Sequence, residues 1–144
     1  MPGSPLTIPA NILARFKGQD SRGAWMGRFE ELEVWRRSAR LSADLYKACS
    51  DMKDFGFRDQ ITRAGLSIPS NIAEGHERGS NKEIANFLNY AKGSAGELRT
   101  QIYIGMDIGY IEREQGKRWL MEVEELSKML HALIKTIRSR PPKP

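Results

Sequence analysis

The chain has 144 residues, 40% hydrophobic and 28% charged, with 23 Lys and Arg against 18 Asp and Glu for a net charge of +5. That length supports one domain around one core, and that composition excludes wholesale disorder. The single cysteine, Cys49, excludes an intrachain disulfide and a cysteine-built zinc cage and points to a reducing compartment, and no apolar run reaches the roughly eighteen residues of a membrane span.

Residues 1–28 stand apart from the rest. Pro2, Pro5 and Pro9, then Gly18, Gly23 and Gly27, interrupt any long element, which predicts a flexible arm with one helical turn near Ala10–Phe16. Leu6–Ala14 lacks the basic start of a signal peptide, so a cytoplasmic protein is expected. The first long helix is predicted from Glu30 to Ser50, where Leu32, Trp35, Ala39, Ser42, Tyr46 and Cys49 follow a three-four spacing and Leu41, Leu45 and Ala48 widen the stripe. After a turn at Asp51–Gly56, a second helix runs from Phe57 to Glu74 on Phe57, Ile61, Ala64, Ile68 and Ile72, with Gly75 placed as a C-cap glycine. Ser80-Asn81-Lys82-Glu83 reads as a capping box opening a third helix, which continues through Ile84, Phe87, Leu88, Ala91, Ala95, Leu98 and Ile102 to about Gly109. The fourth spans Gln115 to Ser139, its stripe made by Leu120, Val123, Leu126, Leu130, Leu133, Ile134 and Ile137. A proline-rich tail occupies 140–144.

No segment reads as a strand. Short connections between long helices make neighbours antiparallel, so the expected fold is all-α, an antiparallel up-down-up-down four-helix bundle over residues 29–139.

The segment Ser67-Ile68-Pro69-Ser70-Asn71-Ile72-Ala73-Glu74-Gly75 departs from an ordinary amphipathic helix. An interior proline loses a backbone hydrogen bond and crowds the carbonyl one turn back, at a cost of about 3 kcal/mol. That carbonyl belongs to Gly65, where the missing Cβ lets the backbone bend, and Ser67 and Ser70 can satisfy freed groups. Two readings stay open: one continuous helix shaped by Pro69, or a break at Ile68. Ser67, Asn71 and Glu74 recur at helical spacing, and the third helix carries a matching stripe through Asn86, Tyr90, Gly93, Glu97 and Gln101. The run Gly93-Ser94-Ala95-Gly96 lets another backbone come close, and interior helix glycines cost about 1 kcal/mol each. Gly65, Ser67, Pro69, Asn71, Glu74, Gly93, Ser94, Gly96 and Glu97 are therefore the expected packing or assembly residues.

Catalytic chemistry finds little support. Glu74 and Glu97 lie roughly 24 Å apart at 1.5 Å per residue, too far for a carboxylate pair, and Glu97 is instead level with Arg58. His76 and His131 lack the Glu-x-x-His spacing of bundle metal sites, and the Gly75–Ser80 loop lacks the lysine of a phosphate-binding loop. No catalytic residue, metal or cofactor is expected. Basic residues offer more. Arg36, Arg40 and Lys47 share one face near Arg37, Lys128, Lys135 and Arg138 line up on the fourth helix, and Arg113, Lys117 and Arg118 cluster at its start. Arg36, Arg37, Arg40, Lys47, Lys128, Lys135 and Arg138 are the candidate phosphate contacts of a surface that tracks a nucleic-acid backbone without reading bases.

Phe29-Glu30-Glu31-Leu32-Glu33-Val34-Trp35, Gln60-Ile61-Thr62-Arg63-Ala64, the Ser67–Gly75 nonapeptide and Gly93-Ser94-Ala95-Gly96-Glu97-Leu98 together resemble the four-helix bundle family of 23S rRNA intervening-sequence proteins, over about residues 29–138. The proline-containing nonapeptide is the specific part. The resemblance implies a small bacterial bundle that assembles with itself as a homopentamer and has no enzymatic activity. The chain is also similar to accessory bundles of diversity-generating retroelements, which implies two possible partners: RNA or DNA on a basic ring surface, or a nucleic-acid enzyme such as a reverse transcriptase held on a protein scaffold. A ring also turns a weak basic patch into a repeated one.

Overall fold

The computed structural model describes residues 27–141. The expected arm lies outside these residues apart from Gly27 and Arg28, and so does the end of the proline-rich tail beyond Pro141. A short 3-10 turn at Phe29–Glu31 leads into four helices, α1 (Glu33–Ala48), α2 (Phe55–Arg78), α3 (Asn81–Asp107) and α4 (Arg113–Arg138). No strand occurs among the described residues. Each helix packs on the next, and α4 closes back on α1 along the thinnest seam of the four. The result is the expected antiparallel four-helix bundle.

Local chemistry fixes where the helices begin and end. Asp54 caps α2, its carboxylate accepting from the Phe57 N–H at 3.1 Å. The Tyr110 hydroxyl donates to the same carboxylate at 3.0 Å, which ties the α1–α2 and α3–α4 turns together at one end of the bundle. Ser80 caps α3 by accepting from the Glu83 N–H at 3.1 Å. The Glu83 carboxylate lies 3.7 Å from Arg78, so the second half of the predicted capping box is given over to an ion pair.

Gly75 is not the end of α2. The helix continues to Arg78, and Gly79, at φ 81°, takes the left-handed cap position. Gly75 is buried inside the helix because a methyl group there would lie 2.6 Å from the Phe87 Cβ of α3. Its glycine serves a close crossing of two helices. Pro69 likewise interrupts nothing: α2 runs unbroken through it, which removes the reading of a break at Ile68. Gly65, one turn earlier, abuts Leu45 and Ser42 of α1, so its missing Cβ admits α1 as well as easing the proline.

The core is aliphatic. Leu45, Ile61, Ile68, Ile72, Leu88, Leu98, Ile102, Leu126, Leu130 and Ile137 are all but fully buried, each contributing about 1.5–3 kcal/mol by leaving water. In α2, α3 and α4 the buried residues follow the predicted stripes. In α1 the inward face is Val34, Ser38, Leu41, Ser42 and Leu45, and Tyr46 is exposed. The spacing through Tyr46 and the spacing through Leu45 are both helical, and the side that meets α2 at Gly65 decides between them.

Candidate functional site

Three sets of side chains occupy the surface of this bundle, and the order of the helices determines which of them meet. The first lies along the α2–α3 seam. Ser67 and Ser94 share a hydrogen bond between their hydroxyls at 2.8 Å. The Asn71 amide donates to the Ser67 carbonyl at 2.8 Å and to its hydroxyl at 2.9 Å. Ser67 and Ser94 thus join the two helices, Asn71 braces Ser67 from within α2, and Pro69 is buried in the same helix. Glu74 lies beyond them, exposed and paired with Arg78 at 3.1 Å. Arg78 also covers the Phe87 ring, 4.8 Å from its centroid.

Gly93, Gly96 and Glu97 behave differently. All three are exposed, and a methyl group on either glycine would meet nothing within 4 Å. Among the described residues no helix uses the close approach that these glycines permit. The same outer side of α3 carries Tyr90, Ile104 and Ile108, each half exposed. Gln101, only 8% exposed, has no partner for its side-chain oxygen. Arg58 does not turn to Glu97 but lies 4.6 Å from the centroid of the Phe55 ring.

The second set is the α1–α4 seam. The Arg37 guanidinium forms a two-pronged pair with Glu122, Nε donating to Oε2 at 3.1 Å and Nη2 to Oε1. It also lies 3.7 Å from Glu33 and 3.6 Å from the Met129 sulfur. Both members of the pair are about two-thirds buried, at 32% and 29% side-chain exposure. The bond to Glu122 raises the Arg37 pKa, against the opposing pull of burial. Arg37 therefore holds α1 to α4. Arg36 donates to the Glu30 carbonyl at 2.6 Å, and Arg40 and Lys47 follow it on the side of α1 turned away from the core.

The third set lies on the other flank of α4, beside α3. Arg99 reaches Glu124 at 3.4 Å, and the Lys92 ammonium lies 3.3 Å from Nδ1 of His131. Lys128, His131, Lys135 and Arg138 recur every three or four residues, so they form one exposed stripe about 15 Å long on that flank. The structure adds Lys92 and His131 to the predicted set and separates it from Arg36, Arg40 and Lys47, which sit on the back of another helix. Lys92 was not found in the sequence because its place beside α4 depends on the register of two helices. Arg113, Lys117 and Arg118 remain exposed at the start of α4, where Lys117 lies near Glu114 and Arg118 bonds to Gln115.

Cys49 is buried, and burial pushes its thiol pKa up, away from the reactive thiolate. Among the described residues no group of three or more His, Cys, Asp or Glu is placed to hold a metal ion. A small apolar cavity near the α2–α3 turn is lined by Leu32, Ile72, Ile84, Leu88, Leu133 and Ile137, with His76 at its edge bonded to the Gly27 carbonyl. Among the described residues no helix is long and apolar enough to cross a membrane.

Comparison with known proteins agrees with the architecture. The family model described as 23S rRNA-intervening sequence protein matches residues 30–132. A crystal structure of a protein with unknown function from the S23 ribosomal protein family of Bacteroides thetaiotaomicron VPI-5482 is similar at 30% sequence identity. It aligns with a TM-score of 0.67, over 71% of this chain and 98% of that one. No curated protein matches.

Proposed function

The chain belongs to the family of 23S rRNA-intervening sequence proteins, and on that premise we propose that it is a non-enzymatic, homopentameric bundle of the bacterial cytoplasm that binds RNA by its phosphates. The observation that carries this reading is the stripe Lys128, His131, Lys135 and Arg138 with Lys92 beside it. Glu124, the carboxylate at its near end, is already paired with Arg99. Cations on one exposed helical flank suit a charged backbone, and the lack of an aromatic platform among them argues against stacking on bases.

Assembly is supported by the outer side of α3. Gly93 and Gly96 admit a close neighbour that the described residues do not supply, and Tyr90, Ile104 and Ile108 give apolar area to bury. Five chains at +5 carry +25, so a ring repeats the stripe five times and gains from avidity wherever one RNA spans several copies.

The test is RNA binding across a salt series with the wild type and with the triple variant Lys128→Gln, Lys135→Gln, Arg138→Gln. Each lost phosphate contact lowers the slope of log affinity against log salt by about 0.7–0.9, so the triple variant is expected to lose about two units or more. No binding at low salt, or a slope that the triple variant leaves unchanged, overturns the RNA reading. A monodisperse monomer in light scattering overturns the ring. A protein partner that survives nuclease treatment in a pull-down replaces RNA binding with a protein-scaffold role.

A further inference from the structure

The four helices are not held alike. α1 has 16 residues against 24, 27 and 26 in α2, α3 and α4, a length that is marginal for a helix without packing. Its backbone packs on α2 and, more thinly, on α4, and does not approach α3. Leu32 at its N-cap supplies no side-chain bond, whereas α2 and α3 begin on the caps Asp54 and Ser80. Two of its five buried residues are serines, and Ser38 donates to the Trp35 carbonyl of α1 itself at 3.0 Å, so opening breaks no bond between helices there. From this geometry we infer that α1 is a latch: it opens as a unit from a core of α2, α3 and α4 that stays folded, and the Arg37–Glu122 pair is its fastening.

The other seams hold more firmly. Ser67 and Ser94 bond α2 to α3, and Gly75 admits Phe87 of α3 where a methyl group would clash. Gly116 of α4 abuts Met106 of α3 in the same way, and Arg99 reaches Glu124 across that seam. The pivot of α1 falls between Cys49 and Lys53, because Asp54 is already fixed by the Phe57 N–H and the Tyr110 hydroxyl. Opening parts Leu45 from Gly65 and uncovers Cys49, which is 1% exposed while α1 is closed. Segments that open well below the free energy of global unfolding are those with thin apolar contact. α1 fits that description, and α3, packed along both flanks, is its opposite.

The experiment follows native-state hydrogen exchange of the full-length protein, read helix by helix by mass spectrometry, and the rate at which Cys49 reacts with dithionitrobenzoate. α1 amides are expected to exchange about tenfold or more faster than those of α3. Low urea is expected to speed α3 exchange steeply and the Cys49 reaction only weakly, because opening α1 exposes little surface. Arg37→Met, which keeps the apolar stem and removes the charge, is expected to speed the Cys49 reaction about tenfold. Glu122→Gln is expected to do the same to a smaller extent. Gly75→Ala strains the α2–α3 crossing, which persists when α1 opens. It is therefore expected to speed exchange in α2 and α3 and to leave the Cys49 rate unchanged. A Cys49 rate that rises with α3 exchange in Gly75→Ala, or equal protection in all four helices, means that the bundle opens only as a whole and overturns the inference. A Cys49 rate that Arg37→Met leaves unchanged overturns the fastening.

Discussion

Gly75 and Gly93 make a matched pair, since both sit in helix interiors at ordinary φ and neither needs glycine for its backbone. Replacing either by alanine favours the helix by about 1 kcal/mol. The surroundings then decide the sign. At Gly75 the new Cβ would lie 2.6 Å from the Phe87 Cβ and 3.4 Å from both the Glu83 carbonyl oxygen and the Ile84 Cα. A Cβ–Cβ clash cannot be rotated away, so the end of α2 must separate from the start of α3. Overpacking of that kind costs about 1–3 kcal/mol, and the upper end applies where backbone must move. Gly75→Ala is therefore expected to lose about 1–2 kcal/mol net. At Gly93 nothing lies within 4 Å, so Gly93→Ala is expected to gain up to about 1 kcal/mol in the folding of the single chain. Urea unfolding followed by circular dichroism at 222 nm, at matched protein concentration, measures both. Equal stability of the two variants, or a more stable Gly75→Ala, refutes the close crossing of α2 and α3. The same Gly93→Ala protein in light scattering tests assembly, and a ring that closes over Gly93 is expected to loosen while the fold gains.

Three further substitutions probe other links in the structure. Pro69→Ala restores a helical N–H worth about 3 kcal/mol in propensity and removes buried ring methylenes and leaves a void worth about 2 kcal/mol. The expected net gain is about 1 kcal/mol in chemical unfolding, and a loss instead would make the ring's packing the stronger effect. A double-mutant cycle of Arg37→Met and Glu122→Gln is expected to return a coupling of about 1–2 kcal/mol, since the pair is two-pronged and largely shielded. A coupling near zero means that α1 is held by its apolar face alone. Asp54 predicts a pH dependence: its carboxyl is held below the usual range first by the Phe57 N–H and then by the Tyr110 hydroxyl. A lowered carboxyl pKa stabilises the fold at neutral pH, and the contribution is lost as pH falls below about 4 through the lowered value. The difference in melting temperature between wild type and Asp54→Ala should therefore shrink toward zero in acid, and a constant difference refutes the cap. The same bond raises the Tyr110 pKa, so its contribution fades again above about pH 10.

Three-four spacing located all four helices, because each buries a wide apolar stripe and little tertiary override is needed. Errors arose where one local pattern fits two environments. A glycine near the end of a helix suits a C-cap and suits a tight crossing equally well, and only the presence of Phe87 on α3 tells them apart at Gly75. Tyr46 and Leu45 both extend helical stripes in α1, and the side that meets α2 selects Leu45. Pro69 was legible as unusual, but whether it ends a helix depends on what lies around it. Of the two expected stripes, Ser67 meets the other helix, through Ser94, and Asn71 braces it from within α2, whereas Glu74, Tyr90, Gly93 and Glu97 are exposed, because which side of a polar helix turns to its neighbour depends on the register of the pair.

Charge was the least legible property, because a cation counts toward a partner only if the fold leaves it unneutralised. Arg37 reads like its neighbours in sequence, yet its carboxylate stands 85 positions away on α4. The same helix that supplies Glu122 to Arg37 on one flank displays Lys128, Lys135 and Arg138 on another. Glu125 also lies close enough to Arg37 to bear on its charge, so the flank of α4 toward α1 carries two carboxylates, Glu122 and Glu125. Under the RNA-binding proposal, a strand approaching α4 would meet repulsion at Glu125 and attraction on the α3 side. That asymmetry would orient the strand along the α3–α4 flank before any contact forms. Under the same proposal, Glu125→Gln, one turn before Lys128 but outside the proposed contact set, is expected to speed RNA association at low salt and to do nothing at high salt, where screening erases the field. An association rate that is unchanged at low salt would mean that the two flanks of α4 do not act as separate surfaces.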